Sequence, residues 1–264
     1  MAAEDRKGIS EAAGEFSESI AGRVAVVVGA AGGMGRAIAA RLAGAGCRLA
    51  LIDLEEAALR ALAGELGLGE NALVCPADIT DRAQVDGAAA EVEKRFGGAQ
   101  ILVNAAGINT PQRTLADMSA EQWERVIAVN LSGVFHCTQA FIELMRRGGG
   151  GTVVTIASTA AHLVSPGAGA HYCAAKRALL SLTESINIEE GKHGIRACAI
   201  SPGEVDTPLV DKRPEPPSAA RRAAMLRAGD VAEAVHYVVT RPARVVVSDL
   251  VVWSAAQISG VYVV

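Results

Sequence analysis

Aromatic side chains are scarce in this chain. They make up 3% of its 264 residues, although 50% of the residues are hydrophobic. The core must therefore be packed mainly by Ala, Val and Leu. No apolar stretch is long enough to cross a bilayer. There is no basic stripe, and the net charge is −4, so we expect neither a membrane nor a nucleic-acid partner. The length fits a single domain.

Metal-binding and targeting signals are also missing. The five cysteines are odd in number and dispersed, with no metal-ligand spacing, and they predict reduced thiols in a cytoplasmic protein with no metal site. Residues 1–22 are polar and lack the apolar segment of a signal peptide. We therefore expect a flexible N-terminal tail over 1–22, one domain over 23–257 and a C-terminal tail over 258–264.

Short apolar runs alternate with helical segments throughout the domain. Strands are predicted at 24–28, 48–52, 72–75, 101–103, 152–156, 196–200 and 245–247, and helices at 36–45, 55–66, 81–96, 119–147, 172–191 and 230–240. This alternation predicts an α/β fold, a single Rossmann-type doubly wound parallel sheet of about seven strands with helices on both faces. Residues 208–225 interrupt the alternation with several prolines. They predict either a substrate lid or a surface excursion.

A glycine-rich turn joins the first strand to the first helix and contains Gly29, Gly33, Met34 and Gly35. Free backbone N–H groups and the helix dipole meet there, and glycine lets a pyrophosphate approach the backbone closely. By itself the turn fits a ligand-free loop equally well. Its position between a strand and a helix, and the acidic residue that follows the next strand, favour a dinucleotide site.

That acidic residue is Asp53. A carboxylate at this position accepts hydrogen bonds from an adenosine ribose and repels a 2′-phosphate, so NAD(H) is favoured and NADP(H) remains possible. The alternative is that Asp53 is the N-cap of the next helix. The two roles are compatible.

Three other strand ends carry candidate cofactor contacts. They are Asp78 and Ile79 after the third strand, Asn104, Ala105 and Gly107 after the fourth, and Pro202, Gly203, Val205 and Thr207 after the sixth. Ligands of such sheets bind beyond the carboxyl ends of the strands. Asp78 is expected to reach an adenine amine or to cap the following helix, and Thr207 to position the nicotinamide amide.

Tyr172 and Lys176 are four residues apart on a predicted helix and therefore share a face. A neighbouring ammonium lowers the pKa of a phenol, which makes the pair a candidate general acid/base. Without support elsewhere it would be an ordinary surface pair. Ser158, at the end of the fifth strand, is placed to face Tyr172, and Asn130 is a polar residue in an apolar helix where it is suited to hold a water.

With these motifs in place, the sequence resembles the short-chain dehydrogenase/reductase family over residues 23–257. The resemblance implies a tetrad of Asn130, Ser158, Tyr172 and Lys176. Tyr172 would exchange a proton with the substrate oxygen, which Ser158 orients. Lys176 would lower the pKa of Tyr172 and hold the nicotinamide ribose. Asn130 would anchor a water in a proton relay.

The resemblance implies an oxidoreductase that transfers a hydride between a nicotinamide cofactor and a secondary alcohol or ketone. The interval from Ser158 to Tyr172 is one residue longer than the commonest family spacing, which leaves Thr159 as an alternative hydroxyl. The C-terminal strand lacks the frequent Val-Asp-Gly-Gly ending, so homodimer and homotetramer both stay open. The alternatives are a catalytically silent NAD(P)-binding redox sensor and a partner subunit. The complete tetrad favours an enzyme.

Overall fold

The computed structural model describes residues 17–165 and 167–258. The first half of the chain contains β1 (Val24–Val28), α1 (Gly33–Gly44), β2 (Arg48–Asp53), α2 (Glu56–Glu65), β3 (Ala72–Pro76), α3 (Arg82–Phe96) and β4 (Ile101–Asn104). The second half contains α4 (Ala120–Ile127), α5 (Val134–Arg147), β5 (Gly151–Ile156), α6 (Ala170–Glu190), β6 (Ile195–Pro202), β7 (Val205–Asp206), α7 (Ala219–Ala223), β8 (Leu226–Arg227), α8 (Ala228–Val239), β9 (Asp249–Val252) and α9 (Ala255–Ile258).

Seven of the strands form one parallel sheet in the order β3-β2-β1-β4-β5-β6-β9, which confirms the predicted Rossmann-type architecture. The strand order reverses between β1 and β4, where Val28 is in register with Asn104. A crevice opens beyond the carboxyl ends of the strands at such a reversal, so this edge is where a ligand is expected. The short strands β7 and β8 pair with each other.

Both faces of the sheet are buried. Along β1, Ala25 and Val27 pack into one hydrophobic cluster, whereas Val24, Val26 and Val28 pack into the cluster on the opposite face. All five β1 residues have no exposed surface. The continuous valine-rich run thus reflects a strand covered by helices on both sides.

The last strand lies further along the chain than the sequence predicted. Residues 245–247 form no strand, and β9 begins at Asp249. Pairing with β6 starts where the Ala199 N–H bonds to the Ser248 carbonyl. The valine run instead belongs to a connection in which Arg196 binds the carbonyl of Val245. Hydrophobicity alone did not reveal this register.

Three segments bear on the expected boundaries of the domain: the two ends of the chain and residues 208–225. Residues 1–16 and 259–264, most of the two expected tails, lie outside the described residues. Ile20 is buried and the Glu18 N–H bonds to the Thr240 carbonyl, so the end of the expected N-terminal tail contacts the domain. Within 208–225 the chain forms a 3₁₀ turn over Pro208–Lys212 and then α7.

Two further sequence expectations concern metals and membranes. Across residues 17–165 and 167–258, no group of His, Cys, Asp and Glu has the arrangement of a metal site. None of the helices described is both long and apolar enough to span a membrane. All five cysteines are buried free thiols.

Candidate active site

The glycine turn is closely packed against the end of β4. Gly29 has a φ of 78°, which favours glycine, and a Cβ atom built there would lie 2.5 Å from the backbone nitrogen of Ala106. A Cβ at Gly35 would overlap the carbonyl of Gly29. Helix α1 therefore starts directly against the turn, and a helix N-terminus beside a glycine turn is suited to bind a phosphate.

Asp53 is joined to this turn by hydrogen bonds. Its Oδ2 accepts from the Ala31 N–H at 3.0 Å, and its Oδ1 accepts from the Leu54 N–H at 2.8 Å. The N-cap of α2 is Glu55, so the capping alternative for Asp53 is wrong. Each carboxylate oxygen keeps a lone pair for a further donor, which suits the paired hydroxyls of a ribose.

Asp78, which follows β3, was expected to contact an adenine or to cap the next helix, and the structure excludes the second role. Asp81, not Asp78, caps α3 by accepting from the N–H groups of Ala83 and Gln84. Asp78 accepts from both the N–H and the hydroxyl of Thr80 through Oδ1. Its other oxygen stays available, and Ile79 beside it packs on Gly133.

The residues after β4 line the base of the crevice. The Asn104 side chain is buried and donates to the Thr138 hydroxyl at 3.2 Å, so it fixes β4 to α5. Its Oδ1 is buried and unpartnered among the described residues. Ala105 donates its N–H to Val28. A Cβ at Gly107 would come within 3.4 Å of Lys176 Nζ, so glycine leaves the space above that ammonium open.

The residues after β6 close the crevice on the other side. A Cβ at Gly33 would lie 2.9 Å from the Cβ of Thr207, which places Thr207 on the glycine turn. Pro202, Gly203, Val205 and Thr207 all line the same cavity as Met34. Residues that follow β1 and residues at and after the end of β6 thus line one cavity.

Asn130 lies in a π-helical turn, Ala128–Gly133, between α4 and α5. The residue is fully buried; its Oδ1 accepts from the Ile108 N–H at 2.8 Å, and its Nδ2 donates to the Ile108 carbonyl at 2.9 Å. Such turns occur often at functional sites. The side chain therefore holds the loop after β4 in place, which is a use the sequence did not indicate.

Tyr172 and Lys176 lie in the first two turns of α6. Lys176 is buried, and its Nζ is 5.6 Å from the centre of the Tyr172 ring. The ammonium donates a 2.8 Å hydrogen bond to the carbonyl of Ile156, at the end of β5. The structure thus brings the pair to the carboxyl end of β5, where Ser158 follows.

Burial shifts the pKa of each group in the direction that favours its neutral form. The pKa of Lys176 falls to about 8 because its ammonium is desolvated. Burial raises the pKa of Tyr172, whereas a hydrogen-bonding contact with Ser158 and the charges of Arg113 and Arg213 lower it. With its pKa raised, Tyr172 is a protonated phenol at neutral pH.

Ser158 and Thr159 both border the cavity, but they make different contacts. Ser158 makes the contact with Tyr172, and its Oγ accepts from the Ala160 N–H at 3.1 Å. Thr159 is the first residue of a 3₁₀ turn that follows. The geometry favours Ser158 as the hydroxyl beside the phenol.

The cavity in front of these residues has a volume of about 920 Å³. It is bordered by the ends of β5 and β6 and by the 208–225 segment. Sequence reasoning missed Arg113, Arg213 and Trp253, which also line it. Arg213 lies in the 208–225 segment that was predicted as a possible substrate lid, whereas Arg113 and Trp253 lie after strand ends in segments without a motif.

The residues present fit a nicotinamide dinucleotide. A cradle of glycine backbone faces the N-terminus of α1, Asp53 offers ribose acceptors at the end of β2, and the space above Lys176 is kept open by Gly107. Asp53 follows β2, the glycine turn follows β1 and Gly107 follows β4, and these strands are neighbours in that order. The three features therefore match the order of adenosine ribose, pyrophosphate and nicotinamide ribose in a dinucleotide.

Comparison with known proteins agrees with this geometry. The short chain dehydrogenase family matches residues 23–217. D-beta-hydroxybutyrate dehydrogenase of Rhizobium meliloti (strain 1021) is 38% identical over 194 residues, 72% of this chain and 74% of that protein.

Two solved structures share the fold. The 3-ketoacyl-(acyl-carrier-protein) reductase of Brucella melitensis, complexed with NADH, has a TM-score of 0.81 and 30% identity, over 90% of this chain and 100% of that one. An alcohol dehydrogenase of Thermococcus sibiricus, complexed with 5-hydroxy-NADP, has a TM-score of 0.80 and 31% identity, over 89% and 97%. Fold, crevice and sequence agree that the chain belongs to the short-chain dehydrogenase/reductase family, whose nicotinamide-dependent oxidoreductases act on CH–OH and C=O groups.

Proposed function

We propose that the protein interconverts a secondary alcohol and a ketone, with Tyr172 as the general acid/base and NAD(H) as the preferred cofactor. The observation that carries the proposal is the meeting of Tyr172 and Ser158 at the wall of one cavity, with the buried Lys176 ammonium behind the phenol. A phenol, a hydroxyl and a cation at one point suit proton exchange with a substrate oxygen.

Each side chain has a distinct part in this chemistry. The cofactor, when bound, supplies or accepts the hydride. Ser158 orients the substrate oxygen towards Tyr172, which donates its proton during reduction and accepts one during oxidation. Burial holds Tyr172 protonated, as reduction requires. A Lys176 pKa of about 8 keeps a large fraction of ammonium at neutral pH, and this charge stabilises the phenolate that reduction leaves behind.

Asp53 supports the preference for NAD(H). Its carboxylate is fixed at the end of β2 by two backbone N–H groups and would meet a 2′-phosphate with like charge.

A cellular compartment and an oligomeric state are also part of the proposal. Five unpaired buried thiols support a reducing compartment, the cytoplasm. Phe135 and Ile188 expose 44% and 82% of their surface on α5 and α6, which supports a homodimer or homotetramer. A silent redox-sensing protein with the same fold is the second candidate, and turnover separates the two.

Substitution Tyr172→Phe tests the mechanism. It removes the acid/base hydroxyl and keeps the ring, so kcat/KM for a ketone should fall about 10²- to 10⁴-fold. The dissociation constant for NADH should change little, because the glycine turn and Asp53 are untouched. Activity is followed by nicotinamide absorbance over a panel of ketones and secondary alcohols, and NADH binding by fluorescence.

The matched control is Tyr237→Phe, which makes the same change on α8 at a side chain that is 47% exposed and remote from the cavity. It should leave kcat/KM unchanged. Full turnover by Tyr172→Phe would refute the mechanism, and a wild-type protein that binds NADH but turns over no member of the panel would favour the silent sensor.

A further inference from the structure

Arg113 has no role in the chemistry described above. It lies in the loop after β4, is partly buried and lines the cavity together with Tyr172. Its Nε donates to the Thr110 carbonyl at 2.9 Å, and an Nη atom donates to the Gly167 carbonyl. No carboxylate of residues 17–165 or 167–258 forms an ion pair with it.

A half-buried guanidinium without a counter-ion is costly. Burial lowers the pKa of Arg113, and the neighbouring charge of Arg213 lowers it further. Two backbone carbonyls satisfy only part of the five N–H donors. The remaining donors and the full positive charge are therefore available to an acceptor inside the cavity.

Arg213, in the 208–225 segment, lines the same cavity. It pairs with Glu204, but that carboxylate also accepts from Arg221 at 2.9 and 3.1 Å and from Gln257 at 2.9 Å. Glu204 is thus shared between two arginines. Glu215, the other acidic residue that lines the cavity, is exposed. The lining carries more positive than negative charge, and both Arg113 and Arg213 are close enough to Tyr172 to lower its pKa against the effect of burial.

The loop that carries Arg113 is held to the helix that carries Tyr172. His171 is fully buried, and its Nε2 lies 2.7 Å from the hydroxyl of Thr110, whose carbonyl accepts from Arg113. The Asn109 side chain donates to the Ala168 carbonyl at 2.9 Å. The guanidinium is therefore fixed relative to the phenol before any substrate binds, which favours recognition of two groups on one small molecule.

We propose that the substrate is a hydroxy acid or the corresponding keto acid, whose carboxylate binds Arg113 with support from Arg213 while its alcohol or carbonyl oxygen reaches Ser158 and Tyr172. The inference rests on the proposed function and narrows it to anionic substrates. A planar guanidinium binds a carboxylate through two parallel hydrogen bonds, and the charge pair gains strength in a partly desolvated cavity.

The test uses matched substrates that differ only in charge. The 2-, 3- and 4-oxo derivatives of pentanoate are each assayed with NADH beside their methyl esters. The wild-type protein should prefer at least one acid over its ester in kcat/KM. Arg113→Gln should lower kcat/KM for that acid about 100-fold, because a charge-assisted contact is lost, and should leave the ester within about threefold. Arg113→Lys keeps the positive charge but cannot form the two parallel hydrogen bonds of a guanidinium, so it should recover part of the lost kcat/KM for the acid.

Arg177→Gln is the control, because it makes the same change on α6 at an exposed side chain outside the cavity lining. This variant should change kcat/KM for neither the acid nor its ester. A wild-type preference for the esters, or an equal loss on acid and ester in Arg113→Gln, overturns the inference. So does a loss of NADH affinity in Arg113→Gln, which would assign the arginine to the cofactor.

A binding measurement separates this inference from the proposed function. Pentanoate, which has no reducible carbonyl, is titrated into the NADH complex by calorimetry. It should bind the wild-type protein and bind Arg113→Gln about 100-fold more weakly. If no member of the panel of ketones and secondary alcohols is turned over, the proposed function fails, and the pentanoate titration still decides the role of Arg113. Equal pentanoate binding by both proteins overturns the inference.

Discussion

The site depends on ionisable groups whose environments differ sharply. Lys176 is desolvated and has a pKa of about 8, whereas Asp53 is half-buried and accepts hydrogen bonds from two backbone N–H groups. The first arrangement suits proton exchange, because both protonation states are accessible near neutral pH. The second suits recognition, because two backbone N–H groups fix the carboxylate in position.

Asp53 should determine the choice of cofactor. At an effective dielectric constant of about 20, two like charges 4 Å apart repel by about 4 kcal/mol, so we expect NADPH to bind at least about 100-fold more weakly than NADH. Asp53→Asn keeps one acceptor for the ribose and removes the charge, so the difference should shrink to less than about tenfold. Glu55→Gln, two residues away and exposed, should preserve the wild-type ratio. Fluorescence titration with both cofactors gives the ratios, and tighter binding of NADPH by the wild type would refute the assignment.

At the scale of elements, the turn between β1 and α1 is the tightest joint in the crevice. A side chain at Gly35 would overlap the carbonyl of Gly29, whereas a Cβ at Gly44, on the same helix, would meet nothing within 4 Å. The two glycines therefore serve different purposes. The first sets the distance between the helix and the strand, and the second only lowers helix propensity.

Gly35→Ala should therefore displace α1, with a loss of about 1–3 kcal/mol in the free energy of unfolding and of most NADH affinity. Gly44→Ala should be neutral or stabilising by up to about 1 kcal/mol and bind NADH normally. Urea unfolding and NADH titration of both variants provide the measurements. Normal cofactor binding by Gly35→Ala would show that the turn tolerates a wider spacing.

Elements with a strong local signal were predictable from the sequence. The strands β1 to β6 and the helices between them agree with the hydrophobic alternation to within a few residues, because all of these strands except the edge strand β3 are largely buried. The position of the last strand was not predictable from the sequence, because its register is set by pairing with β6 and by Arg196 and not by the valine run at 245–247. The π-helical turn around Asn130 and the position of Arg113 also depend on contacts between distant segments. No local pattern encodes such contacts.

At the scale of the whole molecule, Arg196 connects three parts of the domain. It is buried on β6 and donates to the Thr152 hydroxyl on β5 and to the carbonyls of Arg241, Pro242 and Val245 in the connection before β9. These bonds fix the path by which the last strand reaches the sheet edge. The site gains from them, because β6 and β9 carry Gly203 and Trp253 into the cavity wall.

Arg196→Met should keep the apolar volume but leave several buried carbonyls without donors, with a loss of about 2–4 kcal/mol in the free energy of unfolding. For a domain of this size each kcal/mol lowers the melting temperature by about 2–4 °C. Arg60→Met is the matched control, because Arg60 forms an exposed pair with Glu56 on α2, and it should cost less than about 0.5 kcal/mol. Thermal and urea unfolding compare the two. Equal stability of the two variants would mean that pairing with β6 alone directs β9 to the sheet, and that the arginine follows the fold without determining it.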